Sequence, residues 1–265
     1  VVRYEARDGM EIPAYLTLPQ GVAPTNLPVV LLPHGGPWAR DSYGYDSFAQ
    51  FLANRGYAVL QPNFRGSTGY GLDHVAKGLS GFSGTMIDDI VAATEWAIGA
   101  GIADPENIFI VGASYGGYAA LMAPIRYPDH FAGLIAHSPP SDLVKHMKFL
   151  KKEERTLAFD YWNTVVGDLR KDKKALMAAS PITNLDALTT PHLIFHGARD
   201  EVVDAEQTEL LEKAMKKNSI TPNVRLLERT GHDFGELSDH TYFLEETLEH
   251  LNKWRTTTSD TQAGD

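Results

Sequence analysis

The chemistry in this sequence concentrates at one serine. Gly112-Ala113-Ser114-Tyr115-Gly116-Gly117 follows the apolar run Ile108-Phe109-Ile110-Val111 and opens an apolar-periodic stretch from Tyr115 to Arg126. A serine in G-x-S-x-G between a strand and a helix is the pattern of a nucleophile elbow. Small flanking residues allow a turn sharp enough to push Ser114 out at the strand tip, and the helix start that follows favours developing negative charge. The plain alternative is a glycine-rich strand–helix turn that happens to contain a serine.

A serine hydroxyl needs a base, and the base needs a carboxylate to orient it. Behind an elbow of this kind the chain order is serine, acid, histidine, each at the end of a later strand. Asp200 ends Phe195-His196-Gly197-Ala198-Arg199-Asp200, just past the apolar run His192 to Phe195. His232, in Thr230-Gly231-His232-Asp233, lies just past Val224 to Leu227. Glu201 and Asp204 compete for the acid's place, but Asp204 reads as an N-cap for the next helix. His240 and His250 compete for the base's place from within the last helical pattern. His196 reads as a packed structural residue.

His34-Gly35-Gly36-Pro37 follows the run Val29 to Leu32. Paired glycines there let backbone N–H groups approach a substrate oxygen. The Tyr115 and Gly36 N–H groups are the two candidate oxyanion donors. His34 precedes the serine in the chain and reads as a loop-holding residue, not as the base. Gly66-Ser67-Thr68-Gly69-Tyr70-Gly71 lacks the lysine of a phosphate loop and reads as a surface loop fixed by Arg65. His232, Asp233, Glu236, Asp239 and His240 look ligand-like. With no second ligand set they read as the catalytic histidine followed by a helix start, so no metal site is assigned.

These candidates must be carried by a scaffold, and the hydropathy pattern describes one. Val2 to Ala6 and Ile12 to Leu18 alternate around Asp8-Gly9 and predict a hairpin. Leu27 to Leu32, Tyr57 to Leu60, Asn107 to Val111, Phe131 to Ala136, His192 to Phe195 and Val224 to Leu227 are continuous apolar runs. Such runs suit strands covered on both faces. Asp46 to Asn54, Met86 to Ile98, Tyr115 to Arg126, Ala205 to Lys217 and Asp239 to Trp254 carry helical periodicity between them. The alternation predicts one α/β domain over residues 1–255, a mostly parallel doubly wound sheet behind an antiparallel hairpin. Ser141 to Ser180 breaks the rhythm and reads as a helical excursion over the carboxyl edge of the sheet. Thr256 to Asp265 is polar and is expected to be disordered.

Composition removes several functions. The 265 residues carry a formal charge of −10, which disfavours nucleic acid as a partner. The absence of cysteine excludes disulfides, thiolate zinc sites and cysteine nucleophiles. No apolar run approaches the ~18–20 residues that cross a bilayer, so no membrane partner is expected. The chain starts at Val1 without a methionine and reads as a trimmed product, which leaves a leader or an upstream domain open. A soluble protein is expected, with the cytoplasm favoured and the oligomeric state open.

Taken together, the motifs resemble the catalytic domain of the prolyl oligopeptidase family of serine peptidases, over Val2 to about Trp254. Besides the elbow, the resemblance rests on Arg7-Asp8-Gly9, Tyr15-Leu16-Thr17-Leu18-Pro19, His34-Gly35-Gly36-Pro37 and Arg55-Gly56-Tyr57-Ala58-Val59. It continues through Asn63 to Gly71, Asp88-Asp89-Ile90 and Ser114-Tyr115-Gly116-Gly117-Tyr118. The set looks most like the acylaminoacyl-peptidase-like branch. The resemblance implies an α/β-hydrolase fold and a serine hydrolase. Such an enzyme cleaves peptide, acyl-aminoacyl or ester bonds through an acyl-enzyme on Ser114, with Asp200 and His232 completing the triad. A small peptide or ester is the implied substrate, and no cofactor is required. A carboxylesterase with the same triad is the alternative. Two departures stand out. Asp204 occupies a position where members commonly have proline, and the family's N-terminal β-propeller has no counterpart in the sequence.

Overall fold

A computed structural model describes residues 1–79 and 81–256; the polar tail beyond Thr256 lies outside the described residues. The predicted hairpin forms β1 (Val2–Glu5) and β2 (Glu11–Thr17), antiparallel with Val2 opposite Ala14. β3 (Leu27–Leu31), α1 (Ser47–Ala53), β4 (Ala58–Pro62), α2 (Leu72–Ala76) and α3 (Thr85–Gly99) follow. Next come β5 (Ala103–Ala113), α4 (Tyr115–Arg126) and β6 (Gly133–His137). Three helices, α5 (Leu143–Lys152), α6 (Thr156–Val165) and α7 (Lys173–Ala178), fill the excursion. The chain closes with β7 (His192–Gly197), α8 (Glu206–Lys217), β8 (Val224–Leu227) and α9 (Leu237–Trp254).

The eight strands form one sheet in the order β1-β2-β4-β3-β5-β6-β7-β8, parallel from β4 onward. β3, β4 and β6 are buried at every residue, which accounts for their unbroken apolar runs. Successive residues nonetheless serve opposite faces. Val30, Val59, Phe109, Val111, Ile135 and Phe195 pack with Leu52 of α1 and Phe243 and Leu251 of α9. Val29, Leu31, Leu60, Ile108, Ile110 and Leu134 pack with α3 and α4 through Ile87, Ile90 and Leu121.

From β3 the chain runs outward to β4, then returns to place β5 on the other side of β3. The carboxyl ends of β3 and β5 therefore flank a crevice at the switch point of the sheet. The glycine loop and the elbow both leave from that crevice. The excursion leans on both of them. The Tyr118 hydroxyl of α4 donates to the Ala179 carbonyl (2.7 Å), and Trp38 N–H donates to the Tyr161 hydroxyl (3.0 Å).

Three local readings need correction. β5 begins at Ala103 rather than Asn107, because Leu27 already pairs with Ala103. Within the strand Asp104 accepts from Glu106 N–H at 3.0 Å. The loop Gly66 to Gly71 is a surface loop only in part: Gly66 and Ser67 are buried, Thr68 and Tyr70 are half-buried, Gly69 and Gly71 are exposed, and Gly71 leads into α2. Asp204 accepts from Glu206 N–H (2.9 Å) but stands one residue outside the cap of α8, which is Ala205.

Candidate active site

Ser114 occupies φ 56°, ψ −120°, a conformation that costs a non-glycine residue about 1–3 kcal/mol and persists only where the surroundings enforce it. Here they do. Ser114 N–H donates to the His137 carbonyl of β6 (2.9 Å), and its own carbonyl accepts from Tyr118 N–H (2.9 Å). The glycines around it are required by close approach. A Cβ on Gly112 would lie 2.3 Å from the Gly116 carbonyl oxygen, and one on Gly116 would lie 2.2 Å from the Pro33 oxygen. The turn can thus be made only where the chain is bare, and Ser114 is left half-buried at its tip.

The loops after β7 and β8 bring Asp200 and His232 together. His232 Nδ1 lies 2.8 Å from Asp200 Oδ2. The other carboxylate oxygen, Oδ1, accepts from Val202 and Val203 N–H, both at 2.8 Å. Burial pushes the Asp200 carboxyl up, but the His232 hydrogen bond and charge and the Val203 amide outweigh it and hold it at about 2. The acid is therefore ionised at neutral pH, and it leaves His232 with Nε2 free to face a substrate. The His232 side chain keeps 20% of its surface exposed, against none for Asp200. Among the described residues no hydrogen bond joins Ser114 to His232, but both line one cavity of about 400 Å³ together with Gly35 and Gly36. Such contacts tighten when substrate is bound.

Gly36 has φ 115°, which favours glycine, and a Cβ there would strike Trp38 N at 2.8 Å. Neither Gly36 N–H nor Tyr115 N–H, the first amide of α4, donates to another group among the described residues. Both remain available to a ligand oxygen. The loop that carries Gly36 is held by His34, whose ring stacks on Phe64 (4.4 Å) and meets the Ser67 hydroxyl through Nε2 (2.8 Å). Burial lowers the His34 pKa to about 4, so the ring is neutral at physiological pH.

Behind Ser67 stands an ion network that joins three distant sequence motifs. Arg65 Nε and Nη2 donate to the two oxygens of Asp89 on α3, both at 2.7 Å. Its Nη1 and Nη2 donate to Asp8 in the hairpin turn at 2.8 and 2.9 Å. The Asp8, Asp89 and Arg65 motifs thus converge behind the glycine loop, and the reading that Arg65 fixes its segment holds.

The rivals fall elsewhere. Glu201 is exposed and faces Arg155 at 3.4 Å. His240 and His250 lie on α9. His196 is fully buried, bonded to the Thr208 hydroxyl (2.7 Å) and the Val203 carbonyl (2.8 Å), as a packed structural residue should be. The ligand-like set from His232 to His240 does not converge: Asp239 accepts from the Thr230 hydroxyl, and among the described residues no group of three or more potential ligands gathers.

Sequence reasoning missed the aromatic packing behind the elbow and one lining residue of the cavity. Phe82 meets Tyr115, Tyr118 and Trp162 at ring distances of 4.7, 4.6 and 5.2 Å, forming an aromatic flank beside the elbow. Gly81-Phe82-Ser83-Gly84 offers no periodicity by which to place it. His137 was equally hidden, as the polar end of an apolar run.

Known proteins share this chain's sequence pattern and fold. The profile of the prolyl oligopeptidase family matches residues 43–258. Dipeptidyl aminopeptidase BIII of Pseudoxanthomonas mexicana is 39% identical over 251 residues, which are 91% of this chain and 36% of that enzyme. The acylamino-acid-releasing enzyme of Rattus norvegicus is 26% identical over 80% of this chain and 29% of its own length. A puromycin-hydrolyzing peptidase of Mycobacterium tuberculosis superposes with a TM-score of 0.87 at 26% identity, covering 95% of this chain and 39% of that one. The chain spans about a third of the length of these relatives. Among the described residues no helix is long and apolar enough to cross a membrane. The chain belongs to the prolyl oligopeptidase family.

Proposed function

We propose that this chain is a serine peptidase catalytic domain that cleaves amide bonds of short peptides or acylated amino acids through an acyl-enzyme on Ser114. One observation carries the reading. Ser114, held outward on a strained elbow, shares a cavity with His232, and His232 is oriented by an ionised Asp200 at 2.8 Å.

In this reading Ser114 Oγ attacks the carbonyl carbon while His232 Nε2 takes its proton. The oxygen that becomes negative is received by Tyr115 and Gly36 N–H, fixed dipoles that need no rearrangement at that moment. His232 then returns the proton to the leaving nitrogen, and water repeats the sequence to free the acyl group. Asp200 holds the ring with Nδ1 protonated and stabilises its cationic form. The names of the relatives, a dipeptidyl aminopeptidase and an acylamino-acid-releasing enzyme among them, support an aminoacyl or peptidyl acyl group over a simple fatty one.

The test is labelling with a fluorophosphonate, followed by turnover of aminoacyl and dipeptidyl anilides beside p-nitrophenyl esters. Labelling at Ser114 with turnover of both classes is expected. Labelling with ester turnover alone would make the domain a carboxylesterase, and failure to label would remove the nucleophile.

A further inference from the structure

His137 ends β6 directly beside the elbow. Its Cα is paired with Ala113, and its carbonyl receives Ser114 N–H. Its ring projects to the same face of the sheet as Ile135 and stacks on Phe234 at 4.5 Å and 15°. It lines the cavity that also holds Ser114, Gly36, His232 and Phe234. The residue is only 3% exposed, yet Nε2 has no hydrogen-bond partner among the described residues. His34 and His196 are each bonded through both ring nitrogens. His146 Nδ1 and His192 Nε2 are likewise buried without a partner among the described residues, but they line no part of this cavity.

The geometry identifies which half of a substrate this cavity would take. His232 hands its proton to the leaving atom, so that atom must lie against His232. The atoms beyond it then extend along the wall formed by the residues following His232, namely Asp233 and Phe234. The aromatic flank of Phe82, Tyr118 and Trp162 belongs to the core on the opposite face of the sheet. We propose that His137 is a specificity residue on the leaving-group side, whose imidazole hydrogen-bonds a backbone amide group of an amino-acid or peptide leaving group. The proposal rests on the reading of Ser114 and His232 given above.

The physical case is one of asymmetry. A buried polar atom left unpaired costs about 1–3 kcal/mol, and a ligand that supplies its partner recovers that cost. A site of this kind discriminates strongly against an otherwise similar ligand lacking the polar group. A simple alcohol or aryl amine offers nothing to His137, whereas an amino-acid amide offers both N–H and C=O. Burial, aided by the nearby His196 and His232, holds the His137 pKa down at about 3. The ring therefore stays neutral when His232 becomes cationic and adds no second charge beside it.

Acyl transfer reads the leaving-group side directly. With a p-nitrophenyl ester as donor, the acyl-Ser114 intermediate partitions between water and an added amine. In the amine branch the nitrogen attacks the acyl carbon, the C–N bond forms and the C–Oγ bond breaks. The amine proton passes through His232 to Ser114 Oγ. Phenylalaninamide and phenethylamine are compared as acceptors, since they differ only in the carboxamide. Both branches consume one intermediate, so the aminolysis-to-hydrolysis ratio divides out any change in acylation. His137→Phe is expected to lower the advantage of phenylalaninamide over phenethylamine by about 5- to 50-fold. His137→Gln, which can still hydrogen-bond, should recover part of it. If the preference is the same in wild type, His137→Phe and His137→Gln, the proposal is overturned. Should His137→Phe not fold, His137→Leu replaces it, with the same preference again counting against the proposal. A wild type that releases no p-nitrophenol would instead overturn the nucleophile assignment itself.

Discussion

The nucleophile side of the site is held by backbone against backbone, whereas the histidine side hangs on side-chain hydrogen bonds. At the elbow, Gly112, Gly116 and Gly117 lie so close to neighbouring carbonyls that no side chain fits, and Ser114 is tied to β6. Across the cavity, His232 is a partly exposed ring whose orientation depends on Asp200, followed by the exposed residues Asp233 and Gly235 to Ser238. The first side cannot move without moving the sheet. The second can be redirected by changing one atom. In the proposed mechanism, close backbone packing sets where the reaction occurs, and a single hydrogen bond sets whether the proton can be taken.

The largest expected effect comes from the rigid side. Ser114→Ala should fold as the wild type does and lose kcat by about 10⁴- to 10⁶-fold, with fluorophosphonate labelling abolished. Residual turnover near the wild-type level would place the nucleophile elsewhere. On the histidine side, Asp200→Asn keeps the shape but leaves His232 in the wrong tautomer. A fall in kcat of roughly 10³- to 10⁴-fold is expected, against less than about threefold for Glu201→Gln. The reverse order would shift the acid by one residue.

An intermediate effect is expected where a side chain supports the rigid half. Ser67→Ala removes the partner of His34 Nε2 but leaves the stack on Phe64 intact. The Gly36 amide should then be held less closely, lowering kcat by about 5- to 20-fold with little change in KM. An unchanged kcat would show that backbone packing alone suffices on this side.

The same contrast explains what was legible in the sequence. The elbow could be read because only glycine tolerates such contacts, and a steric requirement leaves a fixed spelling. The parallel strands could be read because burial on both faces demands unbroken apolar runs. Asp200 and His232 could be placed only by chain order, since nothing local marks a loop held by long-range hydrogen bonds. The burial of Gly66 and Ser67 was not legible because the polar residues of their loop suggest solvent. Arg65 is in fact satisfied by Asp8 and Asp89, far away in the chain. Phe82, Trp162 and His137 carry no periodic signal, because their neighbours come from separate elements: Phe82 and Trp162 pack on one face of the sheet and His137 meets Phe234 on the other.

The last expected effect is on stability rather than turnover and concerns Asp41, five residues beyond Gly36. Its backbone is clamped by Asn63, whose Oδ1 accepts from Asp41 N–H at 2.8 Å and whose Nδ2 donates to the Asp41 carbonyl at 3.2 Å. Its side-chain Oδ2 is buried with no partner among the described residues. Burial, reinforced by the charge of Asp46, pushes this carboxyl from its usual range up to about 7. The sign follows from linkage. A carboxyl with a raised folded-state pKa favours folding fully below the unfolded value near ~3.8, and that contribution is lost as pH rises through about 7. At pH 8 the ionised form therefore works against the fold. Asp41→Asn, which imitates the protonated acid, should stabilise the domain by about 1–3 kcal/mol at pH 8. The gain should shrink by half or more at pH 5, where the wild-type carboxyl is already protonated in the folded state. Thermal melts of both proteins at the two pH values measure the difference. An equal gain at both, or a loss at pH 8, would mean that Asp41 is charged and satisfied within the fold.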